Sequence, residues 1–451
     1  MNLSYIHKIT IHIILGLLLY NLDFFPRLFY FGVIAYFLIS IFNAAQSDKT
    51  TTILQASAYI VGVEVLFRMT GAGVFYESSK YLVILFMVIG MTYNGLSNRS
   101  YPYMIFLFLL IPSILVASLN TGIDANLRKN VAFVLSGPAC LGISALYCFN
   151  KRLNHPQLKS VILHLGLPII SLTTYLFLYT VRLEEIFKGT QSNFAASGGF
   201  GPNQVSTVLG LGMFVFCVNF FLSSKSTVIK GINILLFGLI SYRAIITFSR
   251  GGVLTAILMI IGFLGIFYLK TSLKSKRRIS LYFVMLLFAS SVIWLVSSSQ
   301  TSGLIDKRYS NQDASGRVKE DVSAGRVEIF KSELEGFYSE PIFGVGASVM
   351  KERRKAITGE TIATHSELSR MISEHGILGV IMLLILLITP LAYRINNTRN
   401  YLFYAFLIFW FATINHSAMR IAAPGFIYAL ALLNITYEKR PLHRKRVIRQ
   451  G

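Results

Sequence analysis

Long apolar runs recur from one end of this chain to the other, each close to the roughly 20 residues a helix needs to cross a hydrocarbon core about 30 Å thick. Composition agrees with that reading. Of 451 residues, 54% are hydrophobic and only 14% are charged, against about a quarter charged in an average globular chain. A disordered protein is excluded, and a soluble globule is a poor fit. The expected fold class is all-α, a polytopic bundle of transmembrane helices. Fourteen spans are expected, near residues 9–20, 28–43, 53–69, 80–97, 102–118, 130–149, 161–181, 204–222, 230–247, 251–269, 280–297, 377–393, 401–415 and 422–437. The first is short but lacks a small-residue cleavage site after its apolar stretch, so it reads as a retained helix rather than a removed signal peptide. Cys140, Cys148 and Cys217 all fall inside apolar runs without paired spacing, so they read as small core residues, not as a disulfide framework or zinc site.

A formal charge of +22 raises the question of a nucleic-acid partner, but the basic residues lie mostly between spans and so answer to membrane lipids instead. With the N-terminus inside, the inner segments hold 21 of the 42 Lys and Arg, counting six in the tail from Lys439 to Arg449. The short outer segments hold nine: Arg27, Lys80, Arg128, Lys129, Arg182, Lys188, Arg243, Arg250 and Arg420. Cytoplasmic loops carry the excess of Lys and Arg, so both termini are expected in the cytoplasm. There the basic tail 438–451 would meet anionic headgroups.

This divides the chain into N-terminal transmembrane helices over 1–297, a large extracytoplasmic loop over 298–376, C-terminal transmembrane helices over 377–437, and the tail. The loop holds eleven Lys and Arg and twelve Asp and Glu. A connection this long is uncommon without its own structure or a function. Val327, Phe330, Leu334 and Phe337 recur at steps of three or four, an amphipathic helix pattern that Pro341 and the glycines of FGVGAS should end.

Later in the loop, Thr364 followed by Glu367 fits a capping box, which would put His365 at the first helical position and Gly376 at the end of that helix. A histidine there feels the positive end of the macrodipole, which disfavours imidazolium and keeps a neutral ring available as a base. The plain alternative is a loop histidine that hydrogen-bonds locally. In SYRAIITFSRGG, Arg243 and Arg250 are seven residues apart, a spacing that puts both on one helix face. An arginine at the bilayer edge usually faces a protein interior or aqueous cavity, so an anion site is expected, helped by the helix start that Gly251 and Gly252 permit. The alternative is interfacial snorkelling by both side chains. Glu64 and Arg68, four apart, can pair along one face of the third span, as a structural element or cavity wall. Asn203, in SGGFGPNQ, belongs to a helix-starting turn beside such a cavity. Glu374 is a further candidate, to orient a partner across the loop or simply to pair. No Asp-x-Asp pair, Walker-type loop or HExxH occurs, so metal-chelated nucleotide-sugar chemistry and zinc hydrolysis have no support and no metal or cofactor is called for.

These outer-facing features, in their order, resemble the O-antigen ligase and O-antigen polymerase superfamily of bacterial inner-membrane proteins. The resemblance rests on SRGG at 249–252, Gly325 and Arg326 opening the loop helix, PIFGVG at 341–346, TH at 364–365 and EHGILG at 374–379. It covers roughly residues 200–437; the N-terminal third adds only hydrophobicity and the stretch EVLFRM at 64–69. It implies a GT-C-like bundle of about twelve to fourteen spans and an enzyme of surface-polysaccharide biosynthesis, such as lipopolysaccharide or exopolysaccharide. The implied activity is glycosyl transfer from an undecaprenyl-pyrophosphate-linked donor to a hydroxyl of lipid A core or of another lipid-linked repeat, without a metal and with inversion. By the same resemblance Arg250 and Arg326, with Arg243 behind them, hold the pyrophosphate, and His365 is the base. The family often has Asn after its histidine, where this chain has Ser366. A polysaccharide transporter or lipid-linked glycan flippase is the other class to weigh; no internal repeat of the transporter kind is visible.

Overall fold

The computed structural model describes residues 4–436 apart from 122–124, 180–188, 223–225, 320, 322, 324 and 360–363. The basic tail, and Arg182, Lys188 and Lys225 of the orientation count, lie outside the described residues. The helices are α1 (Tyr5–Asn21), α2 (Phe25–Asn43), α3 (Lys49–Met69), α4 (Ser78–Asn94), α5 (Tyr101–Leu109), α6 (Ile111–Thr121), α7 (Ala125–Cys148), α8 (His155–Tyr179), α9 (Pro202–Leu222), α10 (Thr227–Ile246), α11 (Arg250–Lys270) and α12 (Leu273–Gln300). The long loop carries α13 (Leu304–Tyr309), α14 (Arg326–Ser339), α15 (Val349–Thr358) and α16 (Glu367–His375). Then follow α17 (Ile377–Arg394), α18 (Phe403–His416) and α19 (Ala423–Ala431).

Each of the fourteen expected spans contains a helix, the fifth being α5 and α6 joined at Leu110, so the protein is an all-α polytopic bundle. Among the described residues ten helical segments are long and apolar enough to cross a bilayer. The other four expected spans are shorter helices: α1 and α4 have 17 residues each, α18 has 14 and α19 has nine. Nine residues rise only about 13 Å at 1.5 Å each. The fourteenth span is therefore not a continuous helix: its chain goes on extended, as β2 (Asn434–Thr436), which pairs in parallel with β1 (Arg152–Asn154) after α7. The pairing brings the ends of α7 and α19 together at the end of the bundle opposite the long loop.

Burial sorts the helices. α3 and α9 are wrapped almost completely by other helices, whereas α12 and α2 show most of their apolar surface. Leu281, Val284, Phe288 and Leu295 of α12 are all exposed, as expected for a helix that faces lipid rather than protein. All three cysteines are buried and unbonded to one another.

The long loop packs onto the bundle end. The Ala347 N–H donates to the Ser113 carbonyl at 3.0 Å and Asn120 donates to the Val345 carbonyl at 3.2 Å, tying the loop to α6. The glycines of FGVG serve this contact. Gly346 has φ +97°, and a Cβ there would lie 2.5 Å from the Ala117 backbone nitrogen on α6. Helix α14 forms where expected and ends at Ser339, before Pro341. Its inward face differs from the sequence expectation. Glu333 and Gly336 are buried, while Val327 and Phe330 of the apolar stripe are exposed. The reason is a buried polar network: Glu333 ion-pairs with Arg354 at 3.2 Å and accepts hydrogen bonds from Thr364 and Ser369, which outweighs burial of the apolar side chains.

Candidate active site

The turn between α10 and α11 sets the first part of the site. The backbone breaks at Phe248, whose φ is +59°, so Arg243 and Arg250 sit on two helices and not on one face of a single helix as their spacing suggested. Arg243 is fully buried, donates to the Ala196 carbonyl at 2.9 Å and lies over the Phe177 ring. It fastens the 193–201 segment to α10 and is not brought into the group that Arg250 joins. Arg250 opens α11, preceded by Ser249, whose hydroxyl donates to Asn203 Oδ1 at 2.7 Å. Asn203 thus acts on the turn before Arg250 from the first residues of α9. Gly252 is required by packing: a Cβ there would lie 2.3 Å from the Ser206 carbonyl carbon on α9.

Arg308, at the end of α13, interlocks with this turn. Its Nε donates to the Phe248 carbonyl at 3.0 Å, and the Arg308 carbonyl accepts from Arg250 at 3.4 Å. Arg326, the first residue of α14 after Gly325, lies within electrostatic reach of both. Burial lowers the proton affinity of Arg308 and Arg326, and the neighbouring guanidinium groups lower it further. Among the described residues none of Arg250, Arg308 and Arg326 ion-pairs with a carboxylate. Three like charges held together without a counter-ion make a site for a multivalent anion.

His365 stands beside Arg326, and the two line a small cavity with Ile329, Phe330, Ser366 and Asn415. The helix start differs from the capping-box expectation. Ser366 is the N-cap of α16, its hydroxyl accepting from the Ser369 N–H, and His365 lies outside the helix, one residue earlier. Thr364 instead reaches back to Glu333 at 3.2 Å, so α14 and the histidine segment are anchored together. From the other side, the His365 carbonyl accepts from the Ala418 N–H at 3.1 Å, and Arg420 donates to the Thr364 carbonyl at 2.7 Å. The imidazole Nδ1 is buried without a hydrogen-bond partner. Burial, followed by the charges of Arg420 and Arg326, holds the proton affinity of His365 down, with a pKa of about 4. The ring is therefore neutral near pH 7. The cause is burial and arginine neighbours, where the sequence pointed to a helix dipole.

The remaining candidates support this arrangement. Glu64 and Arg68 pair at 2.6 Å, as their spacing suggests, and both grip the turn that carries Arg420. Arg68 donates to the Arg420 carbonyl at 3.0 Å and Glu64 accepts from the Ala422 N–H at 2.7 Å. Lys80, counted as an outer loop charge, is fully buried and pairs with Glu77 at 2.6 Å, so it belongs to the same network. Glu374 pairs with Arg370 at 3.0 Å and accepts from the Ser348 N–H at 2.9 Å. Its role is to shape the loop at a turn where Ser348 has φ +70°, and burial pushes its carboxyl up to about 7.

Sequence reasoning missed Arg308, Arg420 and Glu333. Arg420 carried a signal, since an arginine in SAMRIAAPG between two apolar segments is costly unless it faces the interior. Arg308 and Glu333 sit among many charges of a polar loop, with nothing local to single them out.

The O-antigen ligase family model matches residues 235–384. That stretch runs from α10 through the loop into α17 and contains Arg250, Arg308, Arg326 and His365. No curated protein matches the chain.

Proposed function

From the family match, which supports the O-antigen ligase and polymerase superfamily for this multi-pass membrane protein, we propose that it transfers a glycan from an undecaprenyl-pyrophosphate-linked donor to an acceptor hydroxyl. The observation that carries the proposal is the grouping of Arg250, Arg308 and Arg326, without a carboxylate among them, beside a neutral, half-buried His365.

The acceptor oxygen attacks the anomeric carbon from the face opposite the diphosphate, so the product is inverted. The bond from that carbon to the diphosphate oxygen breaks, and its electron pair leaves with the diphosphate. Arginine suits the growing charge because its planar fork donates two parallel hydrogen bonds to phosphate oxygens and stays protonated. Donors fixed in advance around such a charge contribute more than flexible ones. The chemistry needs no metal, because guanidinium groups supply the positive charge that a chelated cation would bring.

His365 takes the proton of the attacking hydroxyl. A base of pKa about 4 is weak, but Arg326, one of the charges that depress it after burial and Arg420, is among those the donor would neutralise. Binding the diphosphate therefore raises the proton affinity of His365 when the proton must be accepted. The excess of basic residues in the segments expected inside supports a reading in which this end of the bundle faces the extracytoplasmic side of a bacterial inner membrane, with both termini in the cytoplasm. The acceptor is a hydroxyl of lipid A core in a ligase or of another lipid-linked repeat in a polymerase.

The test is His365→Ala in the full-length protein. Glycan transfer should fall by a factor of about a hundred to ten thousand, the usual contribution of a general base, while membrane insertion and donor binding persist. Transfer at the unsubstituted rate would overturn the assignment.

A further inference from the structure

A cavity of about 400 Å³ lies between α1, α2, α3 and α8, and none of the candidate active-site residues lines it. Its polarity is graded. Helices α1 and α8 run side by side in the same direction from the end opposite the long loop, since Gly16 meets Ser171 and Thr174, and Tyr20 meets Tyr175. Helix α2 runs the other way against α3, with Phe37 on Tyr59 and Phe29 on Phe67. Lys8, His12, Tyr36, Tyr59 and His164 therefore line the cavity toward the end opposite the long loop, and Leu15, Phe29, Val33 and Leu167 line it toward the bilayer interior.

The polar end is positive. Lys8 stands within electrostatic reach of both histidines. No carboxylate lines the cavity, and Lys8 makes no ion pair among the described residues. Ionisable residues at membrane depth are costly and mark places where something binds or passes. A carbonyl can only accept, so Nδ1 carries the proton of each neutral ring. His12 Nδ1 donates to the Lys8 carbonyl and His164 Nδ1 to the Ser160 carbonyl, both at 2.7 Å. His12 Nε2 then accepts from the Tyr59 hydroxyl at 3.1 Å. His164 Nε2 makes no hydrogen bond among the described residues and is not sealed from its surroundings, so its lone pair is left for a ligand hydroxyl.

We propose that this cavity seats one anionic phospholipid with a hydroxyl-bearing headgroup, taken from the leaflet at the end opposite the long loop. Lys8 faces the phosphate, a headgroup hydroxyl donates to His164 Nε2, and the acyl chains run past Leu15, Val33 and Phe29 into the bilayer. Small-molecule sites span about 300–1,000 Å³, so the space takes the headgroup and the start of its chains. A zwitterionic ethanolamine headgroup fits less well, because its ammonium would stand beside Lys8. The lipid fills the gap between α2, which shows most of its apolar surface, and the helices behind it.

The experiment uses the purified full-length protein in neutral detergent and counts retained lipid by native mass spectrometry. The probes are phosphatidylglycerol, phosphatidylethanolamine and soluble glycerol phosphate. The unsubstituted protein should hold one phosphatidylglycerol about fivefold more tightly than phosphatidylethanolamine, roughly the worth of one basic residue facing an anionic headgroup, and glycerol phosphate should not displace it. Lys8→Gln should erase that preference. A Cβ at Gly32, which also lines the cavity, would meet nothing within 4 Å, so Gly32→Phe should occupy the space and weaken retention about tenfold. Its unfolding midpoint in lipid-free detergent should not fall, since glycine is the poorer helix former. Lys8→Gln carries the test alone should Gly32→Phe fail to fold. A preference for phosphatidylglycerol unchanged in Lys8→Gln, or retention unchanged in a folded Gly32→Phe, would put the lipid elsewhere and overturn the proposal. Equal affinity for phosphatidylethanolamine, or displacement by glycerol phosphate, would overturn it as well.

Discussion

Two groups of charges lie at the same end of the molecule and obey opposite rules. In one, every cation faces a carboxylate: Glu64 with Arg68, Glu77 with Lys80, Glu333 with Arg354, and Glu367 and Glu374 with Arg370. In the other, Arg250, Arg308 and Arg326 crowd together with no such partner among the described residues. Burying charge is costly unless it is paired. The paired set therefore reads as scaffold, tying α3, α4, α14 and α16 to the segments that carry Arg420 and His365. The unpaired set keeps its electrostatic cost in the free protein, and a bound anion relieves it. One group holds the candidate site in shape, and the other is where the proposed function has an anion bind.

That contrast breaks first on stability. Glu64→Ala leaves Arg68 without its closest partner, and removing one member of a buried pair costs about 3–5 kcal/mol. Thermal unfolding in detergent should show a large drop in midpoint for Glu64→Ala. Arg308→Gln should leave the midpoint within about 0.5 kcal/mol of the parent, the range of substitutions away from paired features, because it relieves repulsion as it removes the hydrogen bond from its Nε to the Phe248 carbonyl. Equal losses in both variants would erase the distinction.

A smaller effect sharpens the contrast on the side of the histidine. In the proposed mechanism neutral His365 is the active form, so kcat/KM, which reports the free enzyme, should hold down to about pH 4 and fall below it as the ring protonates. Arg326→Gln removes one of the charges that depress the ring and should shift that acid limb upward. An acid limb at the ordinary histidine value near 6.5, unmoved by Arg326→Gln, would mean that the arginines do not act on His365.

How far the sequence reached follows the same division. Helices of the bundle were legible because lipid imposes length and apolarity on each span separately, and ten among the described residues meet both conditions. Short α19 escaped because its nine helical residues and the strand after them read as one apolar run. Arg250, Arg326 and His365 were legible through SRGG, the Gly325–Arg326 helix start and the TH pair. Arg308 was not, since its place depends on a carbonyl at Phe248, sixty residues away, and on a left-handed backbone that no local pattern announces. The apolar stripe of α14 misled for a related reason. Its inward face is set by the distant partners Arg354, Thr364 and Ser369, which periodicity cannot register.

The central claim is that the unpaired arginines hold a diphosphate, and Arg308→Lys tests it most directly because the charge stays while the planar fork is lost. The measurement is the affinity of the purified full-length protein for the undecaprenyl-diphosphate-linked donor at fixed salt. Arg308→Lys should bind about tenfold more weakly at an unchanged unfolding midpoint; undiminished donor affinity would contradict the account.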